Sequence, residues 1–64
     1  MNNKIASSGS LKGIEKLAQE YFYSVNIETV KTDRKNIFNL KNSSGILTNH
    51  VIIKKNKRYY LLSN

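Results

Sequence analysis

The spacing of apolar residues changes period once along this chain, and that change limits the folds open to it. Leu11, Ile14, Leu17, Ala18 and Tyr21 recur at helical intervals, giving one apolar stripe about three turns long. From residue 23 onward the period is two, with Tyr23, Val25, Ile27 and Thr29 alternating against Ser24, Asn26 and Glu28. One helix followed by strands is therefore expected. Ser10 is suited to cap the helix, because its hydroxyl can accept an otherwise orphaned backbone N–H. Gly13 weakens the helix by roughly 0.8–1.0 kcal/mol relative to alanine. Lys12 near its start and Glu20 near its end also oppose the macrodipole, so this helix needs a surface to pack on.

The rest of the chain divides at its turn residues. Thr32, Asp33, Arg34 and Lys35 form a polar turn, and residues 36–41 read as a second strand with Phe38 and Leu40 opposite Ile37. Asn42, Ser43, Ser44 and Gly45 are a strong turn signal, since Gly45 can take a positive φ. Residues 46–54 are a third strand, Lys55, Asn56 and Lys57 a short basic turn, and residues 58–62 a fourth strand. Short connections favour an antiparallel meander. The expected fold class is α+β: one N-terminal helix on a small antiparallel sheet of three to four strands, with partial curling into a barrel as one way to close it. Residues 1–9 read as a flexible N-terminal arm and residues 10–64 as a single small domain. Tyr21, Phe22 and Tyr23, at the helix-to-strand junction, read as core.

At 64 residues the chain has little core to draw on. Domains below ~70–80 residues rarely gain more than about 3–5 kcal/mol from one core and often add disulfides, a metal or a partner. With no cysteine and His50 as the lone histidine, disulfides, thiolate metal sites and a histidine cluster are ruled out. Self-association or a macromolecular partner remains as a source of extra stability. No secretory leader is visible, and the apolar runs at 51–53 and 59–62 are far too short to span a bilayer. A soluble, cytoplasmic protein is expected.

Charge supplies the functional signal. Residues 1–30 balance Lys4, Lys12 and Lys16 against Glu15, Glu20 and Glu28. The whole net charge of +7 lies beyond them, in Lys31, Arg34, Lys35, Lys41, Lys54, Lys55, Lys57 and Arg58 against Asp33. Nine of the eleven basic residues are lysine, and the Asn- and Ile-rich usage is that of AT-rich genomes such as many phages have. Coding bias explains the number of lysines better than their segregation. In a meander the first and third turns fall at one end of the sheet. Lys31, Arg34, Lys35, Lys54, Lys55, Lys57 and Arg58 would then gather around two hairpin tips, a field that attracts polyanions. The bland alternative is two solvated turns whose lysines discourage edge pairing.

Catalysis finds no support in the pattern. No two titratable groups stand in a recognised catalytic spacing, no serine sits in a nucleophile elbow, and the glycines form no phosphate-cradling loop. His50, mid-strand, reads as a sheet residue with a satisfied hydrogen bond. No enzyme activity, cofactor or metal is expected. Tyr59 and Tyr60 directly follow Lys57 and Arg58, and rings beside cations suit nucleic acid because bases stack while cations hold phosphates. Tyr59 and Leu61 point to one side of the last strand and Tyr60 and Leu62 to the other, so one of the two tyrosines must face away from the helix.

Two readings follow. The first is a nucleic-acid-binding module, for DNA or RNA, using Lys31, Arg34, Lys35, Lys54, Lys55, Lys57, Arg58, Tyr59 and Tyr60. Lysine's point charge favours phosphate contact over base reading, so sequence preference should be weak. The second is a protein-interaction module, such as a phage-type regulator or inhibitor of a host protein, using an apolar second sheet face that a homodimer could also cover. Leu62 and Ile52 are read as outer-face residues whose replacement separates the two readings. The helix-then-sheet order resembles the double-stranded RNA-binding domain, although that family ends in a second helix and this chain ends in a strand. Residues 51–62 resemble the wing hairpin of winged-helix domains, whose multi-helix body is missing here. Neither resemblance assigns a role to any residue.

Overall fold

A computed structural model describes residues 3–23 and 26–63. The chain runs β1 (Asn3–Ser8), α1 (Leu11–Phe22), β2 (Glu28–Lys31), β3 (Ile37–Lys41), β4 (Leu47–Lys55) and β5 (Arg58–Ser63). All five strands join one antiparallel sheet in the order β1-β5-β4-β3-β2, not closed into a barrel. The α+β class and the meander from β2 to β5 are as the periodicity predicts. The strand count is five, not three to four, because the segment expected as an arm forms β1 and pairs with β5.

A bulge between Lys4 and Ala6 explains why β1 leaves no period-two pattern. It turns the consecutive residues Ile5 and Ala6 toward the core, where both pack. Gly13 lets β1 and α1 meet closely, since a methyl group there would run into the Ser8 hydroxyl. Ser10 caps the helix, its Oγ accepting the Gly13 N–H at 3.0 Å.

The core is Ile14 and Ala18 from α1, with Ile27, Leu40, Ile52 and Leu61. Register explains which sheet residues are inside. Ile52 lies opposite Leu61 and Phe38, and Thr29 opposite Leu40, so this row faces the helix. Ile52 is thus fully buried, and its placement on the outer face is corrected; Leu62, opposite Val51, does lie on the outer face. The helix is also rolled from the expected stripe. Leu11 and Phe22 join Ile14 and Ala18 against the sheet, while Leu17 is 36% and Tyr21 49% exposed. Glu15 ties the same side of α1 to the sheet edge, its Oε2 accepting from the Thr29 N–H at 3.0 Å and hydroxyl at 2.9 Å.

The first meander strand begins later than expected. Tyr23 ends α1 in the left-handed region at φ 54 and is 95% exposed, so of the three junction aromatics only Phe22 packs on the core. Ser24 and Val25, placed in that strand by their alternation, lie outside the described residues. Among the described residues no helix is long and apolar enough to cross a membrane.

Candidate functional site

The two basic hairpin tips are built differently and joined to each other. Between β4 and β5 the loop is two residues, Asn56 and Lys57, both left-handed at φ 52 and 66, with Lys55 paired to Arg58. That is a type I′ hairpin, whose second central position normally favours glycine. Between β2 and β3 the Thr32 hydroxyl organises the turn, accepting the Arg34 N–H at 3.1 Å and donating to the Ile37 carbonyl at 2.9 Å. Asn36, at φ 66, then turns the chain into β3. The Asn36 carbonyl accepts the Lys54 N–H at 2.9 Å, which fixes the first tip against β4.

This register places Lys31, Arg34, Lys35, Lys54, Lys55, Lys57 and Arg58 at one end of the sheet, and all seven are exposed. Of the four carboxylates in the chain, only Asp33 stands in either tip. Glu28 is at the far end, 3.5 Å from Lys41. The first tip holds a shallow depression of about 410 Å³, bordered by Lys31, Asp33, Arg34, Lys35 and Phe38. Because Ser8 pairs with Tyr59, α1 starts at this same end, and its first-turn Lys12 and positive dipole end add to the field.

The cations divide among three directions. Lys31 and Lys54 lie on the helix side of the sheet, where the Lys54 ammonium sits 5.6 Å from the Tyr59 ring centre. Arg34, Lys35 and Lys57 occupy the tips. Lys55 and Arg58 lie on the opposite, open side, where Arg58 also donates to the Ser7 hydroxyl at 3.2 Å. The tyrosines separate in the same way. Tyr59 packs against the core beside Phe38, with ring centres 6.3 Å apart, whereas Tyr60 stands on the open face. Lys4 was not among the residues singled out from the sequence. β1 brings it to the open face, its Nζ 5.3 Å from the Tyr60 ring centre. No sequence signal marks it, because the strand that carries it has no regular alternation.

His50 differs from expectation. Its ring meets Phe22 edge-on at 4.6 Å and Tyr21 at 5.7 Å, and its buried Nδ1 has no hydrogen-bond partner among the described residues. It stands under the helix C-terminus, far from the basic end. The described residues contain no group of three or more His, Cys, Asp or Glu that could hold a metal.

Among the described residues Lys57 is the one cation that strains the backbone it stands on. A non-glycine residue in the left-handed region costs about 1–2 kcal/mol, and glycine's greater unfolded-state freedom offsets about 0.5–1 kcal/mol of any gain from removing it. Lys57→Gly is therefore expected to stabilise the fold by about 0.5–1 kcal/mol, a rise in Tm of roughly 2–8 °C in thermal melts. An unchanged or lower Tm would mean that the Lys57 side chain makes a compensating contact.

Comparison with family models, with curated proteins and with solved structures gave no match.

Proposed function

We propose that this chain is a small basic nucleic-acid-binding protein of the cytoplasm. It grips phosphates through its two hairpin tips, reads little sequence, and works by binding, without catalysis or a cofactor. The observation that carries this reading is the convergence of seven exposed cations from two separate hairpins, with one carboxylate among them. Such a cluster lowers stability by mutual repulsion unless an anionic partner or salt relieves it. The strained backbone at Lys57 supports the same reading, because it holds a cation where glycine would fit better.

A salt titration tests it. With roughly four to six phosphate contacts, log K on duplex DNA should fall against log salt with a slope near −4 to −5. Micromolar or tighter binding at physiological salt with such a slope is the expected result. A chain that binds no nucleic acid above about 100 mM salt would refute it.

A second reading, a protein-interaction module, has besides the apolar sheet face expected for it a further apolar surface at the opposite end of the molecule. Tyr21, Tyr23, Ile46 and Leu47 are all exposed there, beside turns that carry little charge. Under that reading, substitutions at Ile46 and Leu47 abolish partner binding and substitutions at the tips do not.

A further inference from the structure

The sheet has a second face that nothing among the described residues covers. Counting outward from the buried row, the cross-strand register assigns it Val30, Ile37, Val51, Ile53, Tyr60 and Leu62. Its floor is aliphatic apart from Asn39, which lies between Val30 and Val51, and it carries a single ring. A depression of about 340 Å³ runs along it, bordered by Lys4, Ile53, Lys55, Asn56, Tyr60 and Leu62. The cations stand at two places around that ring: Lys55 and Arg58 toward the tips, Lys4 on the β1 side. The carboxylate assigned to this face, Glu28, is at the far end beside Lys41.

We propose that this open face seats a single-stranded nucleic acid, with one base stacked on Tyr60 and the adjoining phosphates held by Lys4, Lys55 and Arg58. The proposal rests on the nucleic-acid reading above and adds to it the strand form that the protein prefers. A duplex keeps its bases stacked inside and offers the sheet only phosphates, whereas a single strand can give a base face to a ring and its backbone to nearby lysines. Lys4 now lies near the Tyr60 ring. An exposed cation–ring contact is weaker than base stacking, so an incoming base displaces it and leaves the ammonium free for a phosphate.

Charge and area argue against a second copy as the occupant. Two copies packed face to face would bring both sets of Lys4, Lys55 and Arg58 together with few carboxylates to oppose them. Five strands spaced at ~4.8 Å and averaging six residues give a flat face of roughly 480 Å². Stable partners each bury about 800 Å².

Fluorescence anisotropy with a short oligothymidylate and a duplex of equal length tests the proposal on the full chain. Tyr60→Leu keeps an apolar side chain on the sheet and removes the ring. It should weaken oligothymidylate binding about 10-fold, within a range of roughly 5- to 150-fold, and change duplex binding less than about twofold. Tyr60→Phe should bind like the wild type. Lys4→Gln should reduce the salt slope on the single strand by about 0.7 and leave the duplex slope unchanged. If Tyr60→Leu and Lys4→Gln leave single-strand binding unaltered while the wild type still binds nucleic acid, the open-face seat is wrong and the hairpin-tip reading stands. If the wild type binds neither polymer, both fail. A dimer at about 100 µM in sedimentation equilibrium that Leu62→Lys dissociates would assign the face to a second copy and overturn the proposal.

Discussion

Replacing Lys54, Lys55, Lys57 and Arg58 together with alanine is expected to remove nucleic-acid binding at physiological salt while the protein stays folded. Non-specific affinity comes almost wholly from counterion release, and four of the seven tip cations are lost at once. The salt slope should fall by about 3 to 4 and the affinity on the order of 100-fold or more. The fold tolerates the change because none of the four side chains is buried. The bond joining the two tips uses the Lys54 backbone N–H, which alanine keeps. Losses are limited to the Arg58–Ser7 hydrogen bond and the Lys54–Tyr59 contact. Each is worth about 1 kcal/mol or less at an exposed site, and relief of charge repulsion offsets them. Anisotropy and a thermal melt on the same sample measure both sides. The control is Lys16 and Lys41→Ala, which removes two positive charges away from the tips. If that variant loses as much affinity, net charge alone attracts the polymer and the placement of the tips does not matter.

The second large effect concerns stability. Ile52→Ala is expected to remove most of the protein's stability and unfold a substantial fraction of it at room temperature, whereas Val51→Ala, one residue away, should leave it folded. Ile52 is fully buried between the helix and the central strands, and such truncations cost about 2–5 kcal/mol. A domain of this size rarely has more than about 3–5 kcal/mol in its core, so one methyl-rich side chain can be most of its margin. Val51 points to the open face, where it is only partly buried, and loses only part of a valine's transfer energy, about 1 kcal/mol. Urea titrations followed by far-UV circular dichroism separate the two. A folded Ile52→Ala with an unfolded Val51→Ala would mean that the helix covers the other face.

That contrast also shows how far the residues spoke for themselves. Alternation placed Tyr59 with Leu61 and Tyr60 with Leu62 on opposite faces, and the structure keeps both pairings. It did not reveal which face the helix would choose, and so Ile52 was assigned to the wrong side. The same limit applies to the helix, where Leu17 and Tyr21 fit the apolar stripe as well as Phe22 does. Only contact with the sheet selects Leu11, Ile14, Ala18 and Phe22. In Tyr23 the local signal misled, because a residue that continues a strand pattern instead caps the helix in a left-handed conformation. The basic tips were legible because hairpin order is local: short turns between neighbouring strands determine which turns share an end.

By itself, then, the sequence determined the order of the elements from α1 onward, the parity of the meander strands, and the gathering of seven cations at one end. These follow from periodicity and short connections, which act over a few residues. The tertiary structure alone decided that Asn3–Ser8 closes the sheet against β5, that Lys4 stands beside Tyr60, and which face lies open. β1 is recruited by the unpaired backbone groups of the β5 edge, and those hydrogen bonds are nearly indifferent to side-chain identity. Which face is covered depends on one helix packing on one side of a sheet whose two sides are both apolar, a choice made by whole-surface burial that no local pattern records.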